Sequence, residues 1–306
     1  MKPTASGGRR AGRALAGWLL VTVSTMSAAF ECPTLKVHAA TAVASNARGL
    51  LWQITAPTKS RNYLFGTIHL AANKVGQPSS AVTTALLASK QFGMEVVLDL
   101  DTMLRIADAM HYHGHASLRA AAGHSLYTET VRLLAAYGVD AEAANSLKPW
   151  AAYTTLSLPP GESSTPLDLV LLGTAQHAKK TIFGLETLAE QISIFDTLAP
   201  SEQVALLTEA VCHHAQLQAD TTLLIEQYKQ QDLTGIYQTA NKYDSKIQQR
   251  LTQTLLHDRN QRMVERMQPH LREGGAFIAI GALHLPGDDG VLALLVARGY
   301  QIRALP

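Results

Sequence analysis

"YLFGTIHLAANKV", residues 63–75, opens on an apolar run that reads as the end of a buried strand; Gly66 breaks it, and His69 follows three residues later. Near the other end of the chain, "FIAIGALHLPGDDG", residues 277–290, repeats the arrangement with Gly281 and His284. A glycine at a strand end lets the backbone turn sharply and come close to a ligand. The carboxyl edge of an open α/β sheet is where ligands bind. Two imidazoles delivered by matching loops could share one metal ion, or one could act as a base. A single G-x-x-H says little, because most histidines are ordinary hydrogen-bonded residues. Its repetition in the same context is the signal.

Working outward, "GLLWQIT" (49–55) and "RNYLFGTIHL" (61–70) read as strands, and the turn-like "APTKS" between them makes a hairpin. "SAVTTALLASK" (80–90) is helical, and "FGMEVVLDLD" (92–101) has the short, β-branched character of a buried strand. Residues 101–146 turn helical, with Leu104, Ala107 and Met110 on one face. A further helix covers 147–158 with Pro149 in its first turn, 159–166 is a loop, and 167–180 is an amphipathic helix. A strand over 181–187 ends at Gly184. Residues 188–273 are helical with breaks near Pro200, Gly235 and Asp258, and the chain closes as strand, loop, helix, strand. Residues 61–99 and 276–304 thus form a long pseudo-repeat. The expected class is α/β (α+β): a mixed sheet from two pseudo-symmetric GxxH halves with a large helical middle segment.

The 306 residues are 47% hydrophobic with a net charge of +2, enough for a substantial core and without the basic stripe of a nucleic-acid binder. "MKPTASGGRRAGR" is basic and is followed by 17 uncharged residues, "ALAGWLLVTVSTMSAAF", ending in small residues. That is the pattern of a secretory signal peptide over 1–29. It predicts a periplasmic or secreted protein, or a membrane-anchored one where the leader is not cleaved. Removing the leader takes away Lys2, Arg9, Arg10 and Arg13, which lowers the net charge to −2. Residues 30–48 read as a linker and 49–306 as one domain. Cys32 and Cys212 are the two cysteines, and an oxidising compartment would join them, pinning the tail to a distant helix.

Glu95 stands inside the apolar "FGMEVVL", where an unpaired carboxylate would be costly to bury, so it calls for a metal, histidine or arginine partner. Asp99 and Asp101 are secondary ligands or caps of the next helix. Glu186 comes straight after the strand that ends at Gly184, with Glu190 and Gln191 in a helix first turn. They are either capping groups or, for Glu186, part of a cleft. Arg259 and Asn260 could hold a carboxylate or an oxyanion. His111, His113, His115 and His124 cluster in a loop without the spacing of a firm metal site. The chain has no G-x-S-x-G elbow, Walker loop, G-x-G-x-x-G or H-E-x-x-H.

In order, "LLWQIT…NYLFGTIHL", "ASKQFGMEVVLDLD", "LKPWAAYTTLSL", "LDLVLLGTAQHAKKTIFGLETLAEQISIF", "HDRNQRM" and "FIAIGALHLPGDDGVLALLVARGYQIRAL" resemble the TraB/GumN family. That family belongs with the Tiki, erythromycin-esterase-like and ChaN-like proteins, and the likeness covers about residues 49–306. It implies an exported, metal-dependent hydrolase of the metalloprotease kind. His69, Glu95 and His284 would be metal ligands, Glu95 and Arg259 catalytic groups, and Mn, Co or Zn the divalent metal ion. Asp99 stays an alternative to Glu95, because the family's acid can be aligned on either. The partners implied are a peptide or other small substrate, no nucleic acid, and membrane proximity only through an uncleaved leader. Two other functions fit the residues: a metal-free His/Glu hydrolase, and a non-catalytic periplasmic protein in envelope or exopolysaccharide (polysaccharide) biogenesis, the setting of the GumN name.

Overall fold

The computed structural model describes residues 30–37, 48–58, 60–161 and 165–306. The leader expected over 1–29 lies outside them. Six strands make one mixed sheet in the order β4-β3-β5-β2-β1-β6, with β1 Leu51–Thr55, β2 Arg61–Thr67, β3 Gln91–Met94, β4 Thr181–Gly184, β5 Ala276–Gly281 and β6 Gln301–Leu305. β1 pairs antiparallel with both β2 and β6, whereas β2–β5, β5–β3 and β3–β4 are parallel. β1 therefore runs against the other five. The hairpin is as the hydrophobic pattern predicts, but the strands of each strand–helix–strand unit are parallel without being neighbours: β5 lies between β2 and β3, and β2 and β1 lie between β5 and β6.

The four-strand parallel block explains the near-continuous apolar runs. β5 sits between β3 and β2 with Ala276, Phe277, Ile278, Ala279 and Ile280 all buried, because both faces of a central parallel strand are covered. Phe277 stacks on Phe92 with ring centres 6.1 Å apart, and the helices Leu167–His177 and Asp258–Glu273 add Leu171, Met263 and Met267 to the same core. The helical middle builds a second core around Leu118, Leu134, Trp150, Leu156 and Leu207.

Two expectations are corrected. The strand expected over 92–101 is paired only to Met94, because the chain leaves the sheet at Glu95. Asp99 then caps the Leu100–Ala109 helix, accepting from the Thr102 amide at 2.8 Å. The break expected near Gly235 is present at Asp232, whose side chain accepts from the Gly235 amide and caps the helix Leu233–Ala240. At Asp258 the chain stays helical: a π turn over Gln253–His257 runs straight into Asp258–Glu273.

Cys32 and Cys212 form the expected disulfide across 180 residues of sequence. Residues 30–37, read as the start of a linker, are docked. Pro33 O accepts from His213 Nε2 at 2.7 Å, Lys36 O accepts from the Asp244 amide at 2.8 Å, and Phe30 packs on the helical core. The double substitution Cys32→Ser, Cys212→Ser is expected to lower unfolding stability by about 2–4 kcal/mol, since the cross-link restricts the unfolded chain. Denaturant titration under oxidising conditions measures this, and an unchanged midpoint would contradict it.

Candidate active site

The parallel strands end level with one another. Reading across the sheet from β4 to β2, the chain just past the carboxyl ends supplies Glu186, Glu95, then Gly281 with His284, and His69. Segments distant in sequence meet here because parallel strands all deliver their ends to one edge.

Glu95 is the centre. Its Oε1 accepts from the Gly281 amide at 2.8 Å, and its Oε2 accepts from Arg259 Nη2 at 2.5 Å and Gln191 Nε2 at 3.2 Å. His284 Nε2 lies 3.7 Å from Oε1, and His69 Nε2 lies 4.0 Å from Oε2. Burial alone would push the Glu95 carboxyl up. Arg259, both imidazoles and the Gly281 amide outweigh it and hold the group below the usual carboxylate range, so it is ionised. Asp99, the alternative acid, is exposed and spent on its helix cap. Geometry thus places Glu95, and not Asp99, beside the histidines.

Each imidazole is oriented from behind. The buried Asp168, in the first turn of the Leu167–His177 helix, accepts from His69 Nδ1 at 3.0 Å and from Thr67 Oγ1 at 2.7 Å. Asn260 donates its amide N–H to Asp289 O at 2.8 Å, which turns its oxygen to His284 Nδ1 at 2.7 Å. Nδ1 of His284 is therefore the protonated nitrogen, and Nε2 presents a lone pair to Glu95. Burial pushes the His284 pKa down to about 4, which keeps the ring neutral. The Asp168 carboxylate raises that of His69, an effect that water screens because 65% of its side-chain surface is open, against 6% for His284.

The two G-x-x-H motifs are not in register. Thr67, and not Gly66, pairs with Gly281, so the second motif starts one residue further along the sheet. A one-residue offset exchanges the faces presented, and the two glycines do different work. A Cβ on Gly66 would lie 2.8 Å from Leu285 Cδ1, so its smallness permits close packing. A Cβ on Gly281 would lie 3.3 Å from Glu95 Oε1, 3.5 Å from His284 Cδ2 and 3.9 Å from His69 Nε2. Gly281 therefore leaves a space on which the carboxylate and both rings converge.

Arg259 is buried and engaged. Its Nε and Nη2 donate to Glu186 at 2.9 and 2.7 Å, Nη2 also donates to Glu95, and Nη1 donates to Leu255 O at 3.3 Å. Glu186 also meets Arg262 at 3.4 Å and Gln191 at 3.1 Å. Glu190 completes a capping box with Thr187 and pairs with Arg266. The histidine-rich loop does not gather: His111 bonds Ala107 O, and His113 lies 3.6 Å from Asp108. The reading from sequence did not name Asp168. An acid inside the apolar "PLDLVLL" is the same signal that drew attention to Glu95.

Among the described residues no group of three or more His, Cys, Asp or Glu side chains stands close enough to hold a metal ion as placed. Ligand atoms on one tetrahedral ion with bonds near 2.1 Å sit about 3.4 Å apart. The separations of 3.7 and 4.0 Å are wider by about 0.3 and 0.6 Å and run to different oxygens of Glu95, so the side chains would draw together to share one ion. The donors themselves fit: two ring nitrogens directed at an ionised carboxylate, each ring held through its other nitrogen by an oxygen acceptor, which is how metal-binding histidines are oriented. The space before Gly281 lies among them.

The model of the TraB/PrgY/gumN family matches residues 50–304. The chain belongs to this family. The match spans both G-x-x-H segments, Glu95, Asp168 and Arg259, so the whole carboxyl-edge cluster lies inside the family domain. No curated protein and no solved structure matches the chain.

Proposed function

We propose that this member of the TraB/PrgY/gumN family is an exported, metal-dependent hydrolase that cuts peptide bonds, with its active site at the carboxyl edge of β3, β5 and β2. The observation that carries the reading is the convergence of Glu95, His69 and His284 on the space that Gly281 leaves open. His69 Nε2, His284 Nε2 and Glu95 would hold a divalent ion, with manganese, cobalt and zinc all compatible with two imidazoles and one carboxylate. Such an ion supplies Lewis acidity toward a water and a carbonyl.

The chain's own groups set the conditions. Asn260 fixes the His284 tautomer so that Nε2 faces inward. Asp168 accepts from His69 Nδ1 and so leaves the Nε2 lone pair of His69 facing Glu95, as a metal ligand requires. Arg259 keeps Glu95 ionised, and the carboxylates it already holds make it a clamp on Glu95 more than a free oxyanion donor. Export is supported by the leader-like first 29 residues and by a disulfide, a bond that persists in oxidising compartments.

One observation favours a second reading. The Asp168–His69 pair at 3.0 Å is itself a carboxylate-oriented imidazole, the arrangement of a general base that needs no metal. Protein beginning at residue 30, stripped with chelator and assayed on a peptide mixture with and without added Mn, Co or Zn, separates the two. The expected result is hydrolysis that vanishes on chelation, returns with one of these ions and is lost in His69→Ala. Chelator-resistant hydrolysis that still needs His69 would support the metal-free reading. Hydrolysis indifferent to both would contradict each.

A further inference from the structure

A recess of about 300 Å³ opens beside the cluster on its helical side. His69, His284 and Arg259 form its reactive wall, and the remaining surface is largely Leu224, Ile236, Leu255, Leu256 and Leu283. Tyr228 lines it too, but its hydroxyl is spent on Gly66 O at 2.8 Å. The π turn Gln253–His257, just ahead of Arg259, contributes both Leu255 and Leu256. Such turns inside helices recur at functional sites. His69 also lines a second recess of about 360 Å³, with Met94, Leu98, Met103 and Leu169 in its walls beside Glu95, Asp168 and Gln191. His69 thus borders two largely apolar hollows.

We propose that the recess walled by Leu224, Ile236, Leu255 and Leu256 is a specificity pocket, taking one apolar side chain of a peptide substrate adjacent to the bond that is cut. The inference rests on the hydrolase reading and adds a substrate class to it. The cations and carboxylates nearby already pair with one another, and the wall beyond them is hydrocarbon. A charged or amide side chain placed there would lose its hydration without gaining partners. An aliphatic or aromatic one would bury its surface at no such cost. An extended peptide suits two hollows bordered by one reactive group, because its successive side chains point to opposite sides.

Two measurements test this, one of which needs no catalysis. The first follows the imidazole NMR signals of His69 and His284 while N-acetyl-L-phenylalaninamide, N-acetyl-L-glutaminamide or decanoate is added to protein beginning at residue 30. The phenylalanine probe is expected to shift both signals and to bind at least about tenfold more tightly than the glutamine probe. Ala240→Trp places a large ring in the recess from an exposed position on the Leu233–Ala240 helix, so the fold should tolerate it. It is expected to weaken the phenylalanine probe about tenfold or more. Leu224→Gln, at a half-buried position, should weaken it in the same direction. Equal binding of the two amides, or binding untouched by both variants, would overturn the proposal. Decanoate binding more tightly than either amide would overturn the peptide assignment.

The second measurement sequences the products of a mixed peptide library. Apolar residues on one side of the cut supports the pocket. Cutting without side-chain preference overturns the pocket and leaves the hydrolase standing. Selective, Ala240→Trp-sensitive probe binding without any cutting supports the pocket as a binding site and removes the hydrolase reading.

Discussion

Arg259→Met is expected to destabilise the fold by about 3–5 kcal/mol, the usual consequence of stripping a buried ion pair of one partner. The guanidinium lies between two buried carboxylates, Glu95 and Glu186. Without it, Glu186 keeps Arg262 and Gln191, while Glu95 keeps the Gly281 amide and the Gln191 amide, none of which replaces a buried cation. The effect has a definite pH dependence. The folded-state pKa of Glu95 is depressed, so its contribution is present above the unfolded value near 4.5 and is lost as pH falls toward the folded one. The gap between wild type and variant should be full at neutral pH and narrow as falling pH protonates Glu95 in the variant, where burial pushes the carboxyl up once Arg259 is gone. Adding Glu186→Gln to Arg259→Met should recover part of the loss, because one of the stranded charges is gone. Urea titrations across that range measure all three quantities. A loss under about 1 kcal/mol at pH 7, the scale of an exposed pair, would contradict the buried clamp.

Gly281→Ala is expected to lower hydrolysis by about tenfold to 100-fold, because its methyl occupies the space that the three groups face; a full ångström of misplacement in an active site costs about 100-fold. The backbone there, at φ −53° and ψ 133°, suits any L-residue, so the added methyl brings no strain of its own. Its effect is local: it fills the space between Glu95 Oε1, His284 and His69. Folding stability should therefore change far less than activity. Gly66→Ala should show the opposite pattern, because its Cβ would meet Leu285 and Ala282 in the packed interior. Thermal melts beside initial rates for the two variants distinguish the roles, and an active Gly281→Ala would contradict the convergence.

Much of this arrangement is visible in the chain because its chemistry is local. An acid in "FGMEVVL" and a glycine followed by histidine after an apolar run are anomalies that burial and backbone geometry make conspicuous. With two cysteines only one pairing is possible. What stayed hidden depends on pairing between distant segments. The one-residue offset of the two G-x-x-H motifs follows from how β2 meets β5, a register that neither strand specifies alone. Asp168 reaches His69 across 99 residues and sits where an acid in a helix first turn has an ordinary reason to be. The end of β3 at Met94 was obscured because "EVVLDLD" keeps an alternating, β-branched character after the chain has left the sheet.

On the proposed reading, His69, His284 and Glu95 act together as one divalent-metal site. Equilibrium dialysis against Mn, Co and Zn, with metal analysis of protein beginning at residue 30, tests it most directly. The account predicts about one equivalent bound per chain for at least one of these ions, with binding weakened severely by His69→Ala, His284→Ala and Glu95→Gln, and by about 10–100-fold in Asp168→Asn, which removes the charge that orients His69. Wild-type protein that binds none of the three ions, or binds them equally well in all four variants, would contradict it.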